Sequence, residues 1–565
     1  MGWLNRLRSG SLDARYEKRC AKAHREGLHA VQDEAWQLIS DCIGKFTTHK
    51  HAALVAFSTV KMSLPIETGA GNWHRVIALG WVQSTAVTVL DLQSDFNPQL
   101  MGAVARDLVK QAEVFHYAAH RVNASVMGAV LAETLTSLRL GERMLSRSIS
   151  ASGQREELPH VAVSMWRRLA DMQAGKNDLP AFTGDVDDLS AWFDQCLRES
   201  FRETGEQEAD SGFVRAWGVN VLMEAIHVSG RSVLYVSGGV DPGVATLVDV
   251  SVLDDPARPV TTSVDLHGVS LPVIGEKAVS LFTATAGRRT GELSGAAFDD
   301  HVVDLLNWVG GTIWGPVLAT WPHLADQPFT VVPLGECGML PLYTALVDGR
   351  PLCTSVDLTI APSGRSLVLA AESPPASGEV FVAADPSSGD DELRYVVDEA
   401  AAVAEVRHTK PVVVGRQGLE ETDLVVRIRD SAVVHLACHG VISPVEPLRS
   451  SIVLGRPITA GTVLDEDLRR GSLIVLSACD LAGIGTYAPG EQLGFPAVLL
   501  AAGARSVVAA LWPVPDTRRT VRLMTRFHQE ARTSTTTKAL AAAIGHAHDS
   551  GAAATLWAPF ACFGA

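Results

Sequence analysis

The chain has 565 residues, 47% of them hydrophobic and 20% charged, the proportions of a soluble globular protein of several domains. A formal net charge of −15 argues against nucleic acid or an anionic membrane as the main partner, since both attract basic surfaces. Eight cysteines without a CxxC pair do not read as a disulfide framework or a zinc cluster, and they fit a reduced, cytoplasmic setting with no metal or cofactor implied.

The N-terminus, "MGWLNRLRSGSLDARYEKRC", has no apolar core of a secretory signal. Residues 1–228 form the first predicted domain, an all-α helical array. "SLDARYEKRCAKAHREGLHAVQDEAWQLISDCIGKF" opens on a Ser or Asp cap and carries apolar residues at helical spacing, and the Ala- and Leu-rich stretch from Asn97 to Leu145 continues the pattern. Helices of this length with short joints suggest stacked hairpins. No clean 34-residue tetratricopeptide period is present, so any repeats are degenerate. "RETGEQEADSG", 202–212, reads as an exposed loop or linker.

The second predicted domain is 229–565, an α/β domain. "SGRSVLYVSGGVDPGVATLVDVSVL" reads as a hairpin and "FDDHVVDLLNWVGGTIWGPVLATW" as a helix. Short apolar strands then alternate with helices: "PFTVVPLG", "GEVFVAADPSS", "KPVVVGR", "SAVVHLACHG", "GSLIVLSACD" and "RSVVAALWPV" are strands. "DELRYVVDEAAAVAEVR", "LEETDLVVRIRD", "GEQLGFPAVLLAAGA" and "DTRRTVRLMTRFHQEAR" are helices. This alternation predicts a mostly parallel central sheet, with a crevice beyond the carboxyl ends of its strands. "FPAVLLAAGARSVVAALWPVP" is interrupted by Arg505 and ends in prolines, so no membrane span is expected there.

Two strands end in reactive side chains, one at His439-Gly440 and one at Cys479. Were they neighbours, both would emerge at one sheet edge, as a Cys–His pair requires: the imidazole takes the thiol proton and the thiolate attacks a carbonyl. The Gly440 and Cys479 backbone N–H groups are the natural oxyanion donors. Each residue alone has a simpler reading as core, because free cysteine is among the most buried residue types. Cys438 points to the opposite face from His439 and reads as core. His435, four residues earlier on the same face, reads as structural, and Cys337 sits in a loop without a histidine partner.

Together "VVHLACHG", "LIVLSACDLAG", "PGEQLGF", "LLAAGARSVVAALWPVPD" and "WAPFACFG" resemble the CHAT family of caspase-like cysteine peptidases, of the clan of caspases and separase, often fused to tetratricopeptide-type arrays. The resemblance covers roughly 229–565. It implies a caspase-like fold with His439 as general base, Cys479 as nucleophile, and the Gly440 and Cys479 N–H groups as oxyanion hole. It places Glu491 on the family's Gly-Glu, and Trp512 and Asp516 on its Leu-Trp-Pro-Val-x-Asp. Asp480, Glu491 and Asp516 are the candidate substrate-pocket residues and lean towards a basic residue before the scissile bond. The plainer readings are a helix N-terminal acid for Glu491, a core position for Trp512 and a helix N-cap for Asp516. Asp480-Leu481-Ala482 stand where the family often has Asn-Thr.

The expected function is a cytoplasmic cysteine endopeptidase that cleaves a protein partner through an acyl-enzyme. The resemblance adds a setting in bacterial signalling or antiphage defence, and a regulatory protein or ligand bound by the helical region. No direct nucleic-acid partner and no membrane are expected. A catalytically silent scaffold of the same fold is the alternative, against which the intact His–Cys pair argues. An acyltransferase or other thiol hydrolase is permitted by the fold.

Overall fold

The computed structural model describes parts of 60–135 and residues 225–565, except 251–260, 373, 387–392, 415–420, 444–446, 466–467, 469 and 479–493. The chain divides into two compact units, Met1–Leu135 with Glu142–Gly218, and Thr136–Gly141 with Val219–Ala565. In the first unit the described residues are helical, among them 111–121 and α1 (Ser125–Leu135). Phe115, Leu131 and Leu135 are fully buried there. Most of the predicted helical array lies outside the described residues.

The second unit opens with β1 (Ser232–Ser237), β2 (Gly243–Val248) and β3 (Thr261–Leu266), an antiparallel meander whose first turn is the expected hairpin. Two helices follow, α2 (Leu271–Thr290) and α3 (Gly295–Val309). The second continues through a π turn, Gly310–Trp314, into α4 (Gly315–Thr320). Gly310 is required: a Cβ there would overlap the Leu346 carbonyl oxygen. Gly295–Thr320 is the one described helix long and apolar enough to cross a membrane. Its apolar residues Val302, Leu306, Val309, Ile313 and Trp314 are fully buried in the unit's core.

Next come β4 (Phe329–Pro333), a small hairpin of β5 (Leu346–Val347) and β6 (Arg350–Pro351), β7 (Leu358–Ile360) and α5 (Gly364–Glu372). Then strand and helix alternate as expected: β8 (Val380–Ala384), α6 (Val396–Val406), β9 (Val412–Val413), α7 (Glu421–Asp430) and β10 (Val433–Val441). A hairpin of β11 (Ser451–Leu454) and β12 (Arg456–Thr459) leads into α8 (Ala460–Asp465) and β13 (Leu473–Ala478). The chain closes with α9 (Phe495–Ala501), β14 (Ser506–Ala510), α10 (Arg518–Glu530), α11 (Thr536–Asp549), α12 (Ala554–Trp557) and β15 (Phe560–Gly564).

Thirteen strands form one sheet in the order β12-β11-β10-β13-β14-β15-β7-β4-β1-β2-β3, with β8 also on β10 and β9 on β8. The α/β expectation for this region holds, and the centre of the sheet is parallel. β9, β8, β10, β13 and β14 all run one way. β15 is antiparallel to β14 and parallel to β7, which is parallel to β4, and β4 to β1. The carboxyl ends of the two parallel groups therefore lie on opposite edges of one sheet. The strands carry continuous apolar runs, as strands covered on both faces do: β1, β2, β4, β14 and β15 are buried at every residue.

Candidate active site

Strand β10 sets the site. Successive side chains of "VVHLACHGV" alternate between faces, so His435, Ala437 and His439 share one face and Val434, Leu436 and Cys438 the other. Cys438 is 2% exposed and belongs to the core, as its position in the pleat requires. β10 pairs with β8 from Val433↔Val380 to Ala437↔Ala384, and with β13 from Val433↔Leu473 to Cys438↔Ala478. Beyond that point its last residues pair with β11: His439↔Val453, Gly440↔Ile452 and Val441↔Ser451. His439 and Gly440 are half-buried and Val441 is exposed, so the strand emerges at its carboxyl end.

β13 ends at Ala478, level with Cys438. The next residue of each chain segment is His439 on β10 and, in sequence, Cys479 after β13. Cys479, Asp480 and Glu491 lie outside the described residues. All four described cysteines, Cys337, Cys353, Cys438 and Cys562, are buried free thiols. Burial pushes the Cys562 thiol up to about 12 and the Cys353 thiol also well up, so neither supplies a thiolate.

Asp385, directly after β8, is a residue the sequence reading missed. It is 1% exposed, and its carboxylate accepts the Gly455 N–H at 2.6 Å. Its own N–H donates to the Ala437 carbonyl at 3.0 Å, continuing the β8–β10 ladder. Gly455 is the turn of the β11–β12 hairpin and has φ of 74°, which favours glycine. One buried carboxylate thus fixes the hairpin whose first strand backs His439 and Gly440. An acid at the end of the apolar run "VFVAAD" was the available signal.

His435 is structural, as read, and its partners are specific. Arg407 Nε donates to His528 Nδ1 at 3.0 Å, which leaves the His528 Nε2–H to donate to His435 Nδ1 at 3.1 Å. The His435 Nε2–H then donates to Glu399 Oε1 at 3.1 Å. Guanidinium and carboxylate close the two ends of the chain. His435 and His528 are fully buried and Glu399 is 3% exposed. Burial, then His435 and then Arg407, hold His528 well below the usual histidine range. The chain ties α6, β10 and α10 together beneath His439.

Asp516 is not the N-cap expected of it. The N-cap of α10 is Thr517, whose hydroxyl accepts from the Thr520 N–H. The Asp516 carboxylate instead accepts the backbone N–H groups of Arg394 at 2.5 Å and Tyr395 at 3.1 Å, at the head of α6. Trp512 is 1% exposed, the core position expected. Among the described residues no group of histidine, cysteine and acidic side chains is arranged to hold a metal ion.

Residues 303–565 match the sequence profile of the CHAT domain family. The sheet of the second unit is large and mixed, parallel at the centre and flanked by helices, which is the α/β class expected. Two crystal structures of the Saccharomyces cerevisiae separase–securin complex are similar in part. One has 11% identity and a TM-score of 0.46, covering 91% of this chain and 49% of that one. The other has 10% identity and a TM-score of 0.43, covering 96% and 56%. This chain thus spans about half the length of the separase chains. No curated protein sequence matches it.

Proposed function

We propose that the CHAT domain is a cysteine endopeptidase with His439 as general base and Cys479 as nucleophile. The observation that carries this reading is the register of β10 and β13: the Cys438↔Ala478 pair stands one residue before His439 on one strand and one residue before Cys479 on the other. A parallel ladder fixes its neighbours about 4.8 Å apart, so adjacent strand ends are suited to deliver a base and a nucleophile to one carbonyl. The burial of all four described cysteines supports the assignment.

In this scheme the His439 imidazole takes the Cys479 thiol proton as sulfur attacks the scissile carbonyl carbon. The oxyanion accepts hydrogen bonds from the Gly440 and Cys479 N–H groups. Collapse expels the amine, which receives the proton from the imidazolium and leaves an acyl-thioester. Water, deprotonated by His439, then releases the acid and the free thiol. Asp385 serves by holding the hairpin behind His439. The substrate in this proposal is a partner protein, and a regulatory protein or ligand acts through the N-terminal region, in bacterial signalling or defence.

The test is labelling by a thiol-reactive, iodoacetamide-type probe, together with cleavage of candidate substrate proteins by wild type, Cys479→Ala and His439→Ala. Labelling at Cys479 and cleavage that both variants lose support the proposal. A Cys479→Ala protein that cleaves as well as wild type would sink it.

A further inference from the structure

The acids near the site lean, in sequence, towards a basic substrate residue. The fold points the other way. Asp516 is engaged by two backbone N–H groups, and the exposed side chains at the heads of the two helices include four arginines, Arg394 before α6 and Arg518, Arg519 and Arg522 on the first turns of α10, against one described exposed acid, Asp398. In a chain of net charge −15 this is a concentrated positive surface. α10 carries one acid, Glu530, which pairs with Arg526 at 2.7 Å. Among the described residues no acid pairs with Arg394, Arg518, Arg519 or Arg522, including Asp398, the exposed acid on the first turn of α6.

The position of these arginines follows from the fold. Helices α6 and α10 run side by side in the same direction: Asp516 joins their heads, and the Arg407–His528 hydrogen bond joins their far ends. Their far ends lie at the start of the strands, where the Thr409 hydroxyl donates to the Val380 carbonyl. Their heads therefore lie at the carboxyl edge. The His435–His528 hydrogen bond provides a common level for strand and helix. From it, His439 is about 13 Å up the strand, and Arg518 is about 15 Å up the helix. His439 shares the face of β10 on which His435 meets α6 and α10. The arginines and the proposed base thus stand at one height, on one face and at one edge.

Resting on the peptidase reading, we propose that the substrate carries acidic side chains beside its scissile bond and that Arg394, Arg518, Arg519 and Arg522 receive them. Guanidinium is suited to this task, because its planar fork meets a carboxylate with two parallel N–H donors. Arg518 and Arg522 are one helical turn apart, a rise of about 6 Å, close to the spacing of alternate side chains in an extended peptide. An acidic segment laid along the head of α10 would place its neighbouring residues at His439.

The experiment uses the full-length protein and a peptide library of constant length that varies the residue before the scissile bond, with Asp/Glu, neutral or Lys/Arg flanks. Wild type is compared with Arg518→Glu/Arg519→Glu and Arg518→Lys/Arg519→Lys, each shown to be folded by circular dichroism. The expected result is a preference for acidic flanks that weakens with salt. The charge reversal should cut kcat/KM on those peptides by about tenfold or more, chiefly through KM, and the lysine pair should retain most of it. Cleavage with indifference to the flanks, or with preference for basic ones, overturns this proposal and leaves the peptidase standing. If wild type cleaves no peptide, the peptidase reading fails, and binding of a fluorescent acidic peptide decides the surface. Salt-sensitive binding lost in the reversal upholds it. Absence of such binding, or binding only of a single-stranded oligonucleotide, overturns it.

Discussion

On one side of β15 the strands β8, β10, β13 and β14 run together, and on the other β7, β4 and β1 run the opposite way. Both groups are parallel, apolar and covered by helices. Their strand ends differ. β1, β4 and β7 end at Ser237, Pro333 and Ile360, with no histidine, cysteine or acid among them. In the other group, β10 delivers His439, β8 is followed by the buried Asp385, and β13 stops one residue before Cys479. The same architecture can serve as scaffold or as site, and what separates the two is a handful of residues at the carboxyl edge. The buried histidines follow the same division. Both buried histidines of the second unit belong to the His439 half, whereas Trp314, Tyr343 and Phe329 fill the other.

The largest way to break this contrast is at the chemistry. Cys479→Ala or His439→Ala should lower cleavage on the order of 10³-fold or more, with the melting temperature unchanged. Gly310→Ala, in the other half, should do the reverse. Its Cβ meets the Leu346 carbonyl oxygen, and relief requires moving the π turn or the β5–β6 hairpin. A loss of about 3 kcal/mol in chemical denaturation is expected, with kcat per folded molecule retained. A Gly310→Ala protein that is stable but inactive would mean that the two halves are coupled rather than divided.

Asp385→Ala comes next. It removes the acceptor of the Gly455 N–H and frees the hairpin that backs His439 and Gly440. The stability cost is about 2 kcal/mol, that of one hydrogen bond to a charged acceptor. Activity should fall further than stability explains, through kcat more than KM, since the hairpin holds the base and not the substrate. Asp385→Asn keeps an acceptor oxygen and should restore most of both.

Much of this half was legible in the sequence because its strands are short, apolar and bounded by glycine and charged turns. "VVHLACHG" gave both the strand and the alternation that separates Cys438 from His439. The β11–β12 hairpin was not read, because each strand is four residues long, Pro457 interrupts the second, and its register depends on a carboxylate 70 residues away in sequence. "KPVVVGR" contributes only two ladder residues, as β9. Asp516 was misjudged because a local cap is visible in sequence, whereas the backbone of Arg394 and Tyr395 is more than a hundred residues away. The role of His435 was legible as burial, but its partners come from two helices whose packing no spacing rule reveals.

The smallest expected effect is also the most local. His528 is neutral when buried, held well below the usual histidine range by burial, by His435 and by Arg407, and it becomes free to charge on unfolding. A depressed folded value means that its contribution to stability is complete above the unfolded value of about 6.5 and is lost as pH falls below it. Between pH 7.5 and 5.5 the loss should be about 1 kcal/mol. His528→Leu should be less stable at neutral pH, because His435 Nδ1 and Arg407 Nε lose their partner, yet its stability should fall less steeply with acid. Hydrogen exchange locates the effect. Lowering the pH should speed exchange, after correction for intrinsic rates, in β10, α6 and α10 before β1, β4 and β7. Equal acceleration in both groups would show that the His–His chain clamps the whole sheet, and the division at β15 would then be one of chemistry and not of stability.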